Sequence, residues 1–362
     1  MQDWFLEKIS PTKKKYFQLS AADAQNRFGL FSQEHKTKKL VIFDLRNRTS
    51  MKQLMIAERY LLLVHILSTF FGLAGLLIVL PNPEIIISLP PVGQTAFQWS
   101  MAGGGATYII FGALAVALYS MRNLGIGTTL AFMLPSVFLS LSSELLGTST
   151  GFPFGDYAYL NGLGYKIAGL VPFTIPLSWF YMGLVCYLLA RCGLQVKSSS
   201  SWLRHVGAIA TGAVLLTAWD LVLDPAMSQA PFPFWTFQEE GSFFGMPYRN
   251  LLGWVGTGAI YMSVAAWFWR KKTISLSRQE LNLPLITYLV NFAFGATITV
   301  VALDSRFLLP TCLSVVVGVI PAIALWWISP ANQFSEVDMS LDNAVSDDEV
   351  KVAVTQVNMA VK

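Results

Sequence analysis

Charge is scarce in this sequence. Only 13% of its 362 residues are Asp, Glu, Lys or Arg, about half of the roughly 25% usual in soluble globular domains, which argues against a soluble fold. Histidine and cysteine are equally scarce, at three each. His35, His65 and His205 stand far apart and are too few to hold the two metal ions of a membrane di-iron hydroxylase or desaturase. Cys186, Cys192 and Cys312 show no C-x-x-C spacing, so neither a disulfide framework nor a zinc site is expected and packing is the plainer role. A haem thiolate oxygenase would need a large soluble domain that this composition does not offer. If this chain adds oxygen to a substrate, it is expected to do so without O2 chemistry. No phosphate-loop spacing of glycines occurs, and no internal repeat is evident by eye.

What the chain has is long apolar runs. Apolar residues make up 54% of it and mean hydropathy is +0.52. Runs near 60–80, 101–119, 124–146, 168–190, 205–223, 251–269, 284–303 and 307–328 each approach the roughly 20 residues that cross a bilayer. The expectation is an all-α, polytopic membrane bundle of eight spans over 59–330. The tight turn at Asp304, Ser305 and Arg306 leaves seven as the alternative count. Of the 25 Lys and Arg residues, 12 lie in the first 59 positions. The basic arm 1–58 reads as a cytoplasmic flank and not as a nucleic-acid arm, and it has no apolar core of a signal peptide. Arg122, Arg191, Lys197, Arg204, Arg270, Lys271, Lys272 and Arg278 fall on the side of that arm, against Lys166, Arg249 and Arg306 opposite, which places both termini in the cytoplasm. The acidic tail 331–362 lacks the apolar surface needed for order. Clusters such as Gly103, Gly104, Gly105 and Gly253, Gly256, Gly258 read as close helix packing.

Two stretches, expected at one membrane face, carry the chemistry. The first runs from Glu144 through Gly147, Thr150, Gly151, Pro153, Phe154, Gly155, Asp156 and Tyr157 to Tyr159. The second runs from Asp220 and Asp224-Pro225 through Trp235, Glu239, Glu240, Gly241, Phe243, Gly245, Pro247, Arg249 and Asn250 to Trp254. A carboxylate inside a span costs about 2.5–3.5 kcal/mol at the bilayer centre, so Glu144, Asp220 and Asp224 are candidate functional groups. Asp220 and Asp224 share a helix face at i and i+4. Two carboxyls so close in a poorly hydrated site resist double ionisation, which leaves one proton available for donation. Plainer roles exist: Asp224 before Pro225 can order a turn, and Asp220 can pair with Arg249. Asp156, in a Gly and Pro rich loop, reads as a turn former that shapes the site or as a base. Glu239 and Glu240 read as solvated charges.

Aromatic rings crowd the same face. Phe154, Tyr157, Trp235, Phe243 and Trp254, with Trp179 and the Pro172, Pro176 pair in the fourth span and Pro135 in the third, suit an interfacial belt. On count alone the belt is the plainer reading; the sharper one is a wall that stacks on a long polyene and stabilises a transient cation, each ring contributing about 0.5–2 kcal/mol.

The words Glu144-x-x-Gly147-x-x-Thr150-Gly151-x-Pro153-Phe154-Gly155-x-Tyr157, Asp220-x-x-x-Asp224-Pro225, Trp235, Gly241-x-Phe243-x-Gly245-x-Pro247 and Asn250-x-x-Gly253-Trp254 resemble the CruF-type carotenoid hydratase family. The likeness covers roughly 59–270, with an extension to 328, and is closest to the cyanobacterial branch acting on γ-carotene; an archaeal branch hydrates a bacterioruberin precursor. It implies addition of water across the terminal C1,C2 double bond of a ψ end group, in a bacterial plasma or thylakoid membrane. The partners it implies are a carotenoid substrate, membrane lipid and a downstream carotenoid glycosyltransferase, with no nucleic acid.

Such a hydration is redox neutral and calls for no cofactor and no metal. It needs an acid, a sheltered cation and a positioned water. Asp220 or Glu144 would protonate C2, Asp224 and the rings would steady the cation at C1, and Asp224 or Asp156 would accept the proton of water. Phe154, Tyr157, Trp179, Trp235, Phe243, Arg249, Asn250 and Trp254 would hold the substrate. Two other readings remain: a magnesium-dependent prenyltransferase, in which Asp220 and Asp224 bind the ion and Arg249 the diphosphate, and a transporter or assembly factor.

Overall fold

The computed structural model describes residues 51–197 and 199–331. They fall into two compact units, one reaching to Ile56 and one starting at Ala57, and the architecture below is that of the second. The basic arm and the acidic tail lie almost wholly outside the described residues.

Among the described residues, eight helices are long and apolar enough to cross a membrane: α1 (Met51–Val79), α3 (Pro91–Leu124), α4 (Ile126–Thr150), α5 (Thr174–Gly193), α6 (Trp202–Ser228), α7 (Tyr248–Phe268), α8 (Asn282–Ala302) and α9 (Ser305–Ile328). A short helix, α2 (Pro83–Ser88), joins α1 to α3. The protein is an all-α polytopic membrane protein, and the described residues hold eight such helices, not seven. The turn that made the count insecure is held by Asp304, whose carboxylate accepts the Arg306 N–H at 3.0 Å and starts α9 as a 3-10 turn. The even number of spans returns the chain to the side from which it enters.

α5 is apolar on every side and lies at the centre, with α3, α4, α6, α8 and α9 against it. Every residue of α5 except Leu177 is buried. Glycine lets the neighbours come close: a Cβ on Gly193 would lie 2.7 Å from Leu325. α1 is the most peripheral span, and a π-helical turn at Gly75–Val79 ends it.

Four short strands complete the fold. β1 (Tyr157–Tyr159) pairs antiparallel with β4 (Trp235–Phe237), and β2 (Lys166–Ile167) pairs with β3 (Val171–Pro172). The second ribbon corrects one boundary: hydropathy starts the fourth span at 168, but residues 166–172 are occupied by that pairing, so α5 begins at Thr174. A second correction concerns Asp224-Pro225, read as a helix end. α6 continues through Pro225 to Ser228, where the Gln229 N–H bonds the Pro225 carbonyl at 2.9 Å.

Candidate active site

The loop after α4 and the loop after α6 meet in the β1·β4 ribbon, in the register Tyr157 to Phe237 and Tyr159 to Trp235. This brings the two motif-bearing stretches together at one end of the bundle. α4 ends at Gly151, whose left-handed backbone (φ 77°) turns its N–H to the Gly147 carbonyl at 2.8 Å. The chain then folds back so that the Phe154 ring is wedged between α4 and α7. A Cβ on Gly147 would lie 2.8 Å from that ring, and one on Gly253 would lie 2.5 Å from it, so both positions require glycine.

Strand alternation sends Tyr157 and Tyr159 inward and Ala158 outward. Both phenols donate to Oε2 of buried Glu144, Tyr159 at 2.9 Å, while Trp179 of α5 donates its indole N–H to Oε1 at 2.9 Å. Burial first, and then the Glu144 carboxylate, hold both phenols well above their ordinary range, so they remain donors at any physiological pH.

One helical turn apart on α6, Asp220 and Asp224 are buried (1% and 2% exposed) but less fully bonded. Asn250 of α7 donates to Asp220 Oδ2 at 3.0 Å and Trp235 of β4 donates to Asp224 Oδ1 at 2.7 Å. The second oxygen of each, Asp220 Oδ1 and Asp224 Oδ2, is buried with no hydrogen-bond partner. An unpaired buried carboxyl oxygen is costly and is seldom kept without a use.

These groups open on one chamber of about 1060 Å³. Glu144, Asp220, Asp224, Phe154, Tyr157, Trp179, Trp235, Asn250 and Trp254 all line it. Trp254 stacks on Trp179 with centroids 4.2 Å apart, and Trp219 stands edge-on to Trp254 at 6.0 Å. Three expected residues are not brought there. Asp156 is exposed, outside the lining, and engaged through its backbone. Arg249 is exposed and turns away to Glu239 (2.5 Å), so it pairs with neither Asp220 nor a ligand in the chamber. Phe243 lies in the turn before α7 and packs on Phe244 and Tyr248. Glu239 is therefore not a free solvated charge: it bridges Arg249 and the Asp156 N–H (3.2 Å), and the Arg249 hydrogen bond holds its carboxyl below the usual range.

Tyr159, the end of the first of the two stretches expected to carry the chemistry, lines the chamber as well. Other lining residues were missed. Trp219, Tyr108 and Phe294 carried no signal beyond apolar helix, and the lining Gly103, Gly104 and Gly105 read only as packing.

Residues 104–321 match the sequence profile described as "Carotenoid biosynthesis protein", well over half of the chain. The chain belongs to that family. All three chamber carboxyls of this carotenoid biosynthesis protein fall inside the matched segment. It is also 36% identical over 121 residues to the bisanhydrobacterioruberin hydratase of Haloarcula japonica, an alignment covering 33% of this chain and 39% of that relative. The match thus spans about two fifths of the relative's length. No solved structure matches the chain.

Proposed function

We propose that the protein is a carotenoid hydratase that adds water across the terminal C1,C2 double bond of a ψ end group, as in γ-carotene or lycopene, to give a tertiary alcohol. The observation that carries this reading is the pair of free carboxyl oxygens on Asp220 and Asp224 at the buried end of an aromatic chamber. Membership of a carotenoid biosynthesis family and the likeness to a hydratase support it.

Asp220 gives its proton to C2; the π bond breaks, the C2–H bond forms and C1 becomes a tertiary cation. The stacked Trp179 and Trp254 rings and the acidic surroundings stabilise that cation where water is scarce. Water bonds to C1 and yields its proton to Asp224, so one proton on the pair is restored each turn. Glu144, with three donors already upon it, orders the cage of Tyr157, Tyr159 and Trp179. Asp156 is exposed and absent from the lining, so in this reading the base is Asp224. The hydroxylated product is the acceptor that a downstream carotenoid glycosyltransferase would use.

The prenyltransferase reading loses its cation, since Arg249 is committed to Glu239 and Lys166 donates to the Tyr159 carbonyl at 2.6 Å. Expression in cells that accumulate lycopene and γ-carotene tests the proposal. The expected pigment is heavier by one water with an unchanged chromophore, and Asp220→Asn, present in membranes at wild-type level, makes none. A fully active Asp220→Asn variant removes that residue from the mechanism, and unchanged pigment with demonstrated wild-type protein removes the reaction on these substrates.

A further inference from the structure

The chamber is buried at one end only. Beside Asp220 and Trp179 its lining is about 1% exposed, but it runs out between α1 and α3, where Phe71 is 66% and Trp99 is 76% exposed. Leu67, also exposed, belongs to the same wall. These apolar side chains sit on spans, so the surface they reach is the acyl region of the bilayer and not water. The floor of this slot is glycine. Gly75, in the π-helical turn of α1, and Gly103 of α3 both line it, and a Cβ at either would meet nothing within 4 Å. Steric necessity therefore does not explain these glycines, unlike Gly147 or Gly253; what they provide is empty width.

We infer that the slot between α1 and α3 is a substrate subsite that holds the distal polyene of an elongated isoprenoid while one end group reaches the carboxyls, so that the substrate loads sideways from the bilayer and one end reacts per visit. This rests on the hydratase reading for what happens at the acids, but not for the binding of the polyene. The slot is continuous with the stacked rings of the chamber and has no charged side chain along α1 or α3 in its lining. An apolar, extended, conjugated chain is the ligand such a surface fits.

The experiment uses full-length protein in lipid nanodiscs. Affinity for a linear polyene with ψ ends is read from the shift of its absorption band, beside hydration of that polyene and of a short acyclic terpene with the same terminal alkene. Gly75→Leu and Gly103→Leu fill the slot without a backbone clash, and leucine is the better helix former. Each is expected to weaken polyene binding at least tenfold and to lower hydration of the polyene relative to the short terpene by a similar factor. Gly256→Leu, equally uncrowded but outside the lining, is the matched control and is expected to do neither. Polyene affinity equal to wild type in both slot variants overturns the inference, as does an equal loss for long and short substrates. A wild-type protein that binds polyene through the slot but adds no water retires the hydratase reading and leaves the slot standing; one that binds no polyene ends both.

Discussion

Asp220, Asp224 and Glu144 differ in how their oxygens are used, and that difference separates their roles. Glu144 is fully engaged by Trp179, Tyr157 and Tyr159, so replacing it by Gln turns an amide N–H2 towards groups that can only be donors or prefer to be. One buried donor then goes unpaired, at a cost of about 1–3 kcal/mol. Glu144→Gln is expected to lower the thermal midpoint and to cut turnover on the order of 10²-fold, comparable to losing one positioned electrostatic group; initial rates and melting curves in detergent measure both. The three acids were legible in the sequence because a carboxyl in an apolar helix is expensive wherever it points. Arg249 and Phe243, expected to hold substrate, fall outside the lining for the opposite reason: in the first turn of α7 and in the motif-rich loop before it, spacing does not tell which way a side chain faces, and the same holds for Asp156, weighed as turn former or base. Asn250 and Arg249 are adjacent, yet one turns to Asp220 and the other to Glu239.

The β1·β4 ribbon closes the bundle end over the acids, and its strands of three residues are too short to give any hydropathy signal. Helices were found because apolar runs near 20 residues are unmistakable, whereas these strands are set by tertiary pairing. Arg249, Glu239 and the Asp156 N–H fasten the ribbon to α7. Because the Glu239 carboxyl sits below its ordinary value of 4.5, the stability this latch adds is fully present above that value and is lost as pH falls through the lower folded one. Amide exchange at Asp156 and Gln238 is therefore expected to quicken in Arg249→Ala at neutral pH, and in the wild type only under acid conditions. The exposed location makes the effect small and salt-sensitive. Exchange rates indifferent to both changes would show that the ribbon is held by its strand pairing alone.

Across the entire bundle, eight basic loop residues face three, and on that asymmetry we propose that both termini lie in the cytoplasm. Thiol labelling checks this in a Cys312→Ser background, since Cys186 and Cys192 are buried. Ser242→Cys is expected to label in intact cells and Lys271→Cys only after permeabilisation; the reverse pattern inverts the orientation. The burial of α5 has a bearing on biosynthesis. Chains are made N-terminus first, so α5 emerges before α6, α8 and α9, the helices that enclose it. During that interval it must rest with Trp179, Ser178 and Arg191 bare to lipid or to the insertion machinery. The newborn chain thus passes through a half-built stage whose most central helix is its least protected, and ribosome-stalled intermediates in which Gly193 has left the ribosome but α6 has not should be the ones most readily captured by membrane quality control.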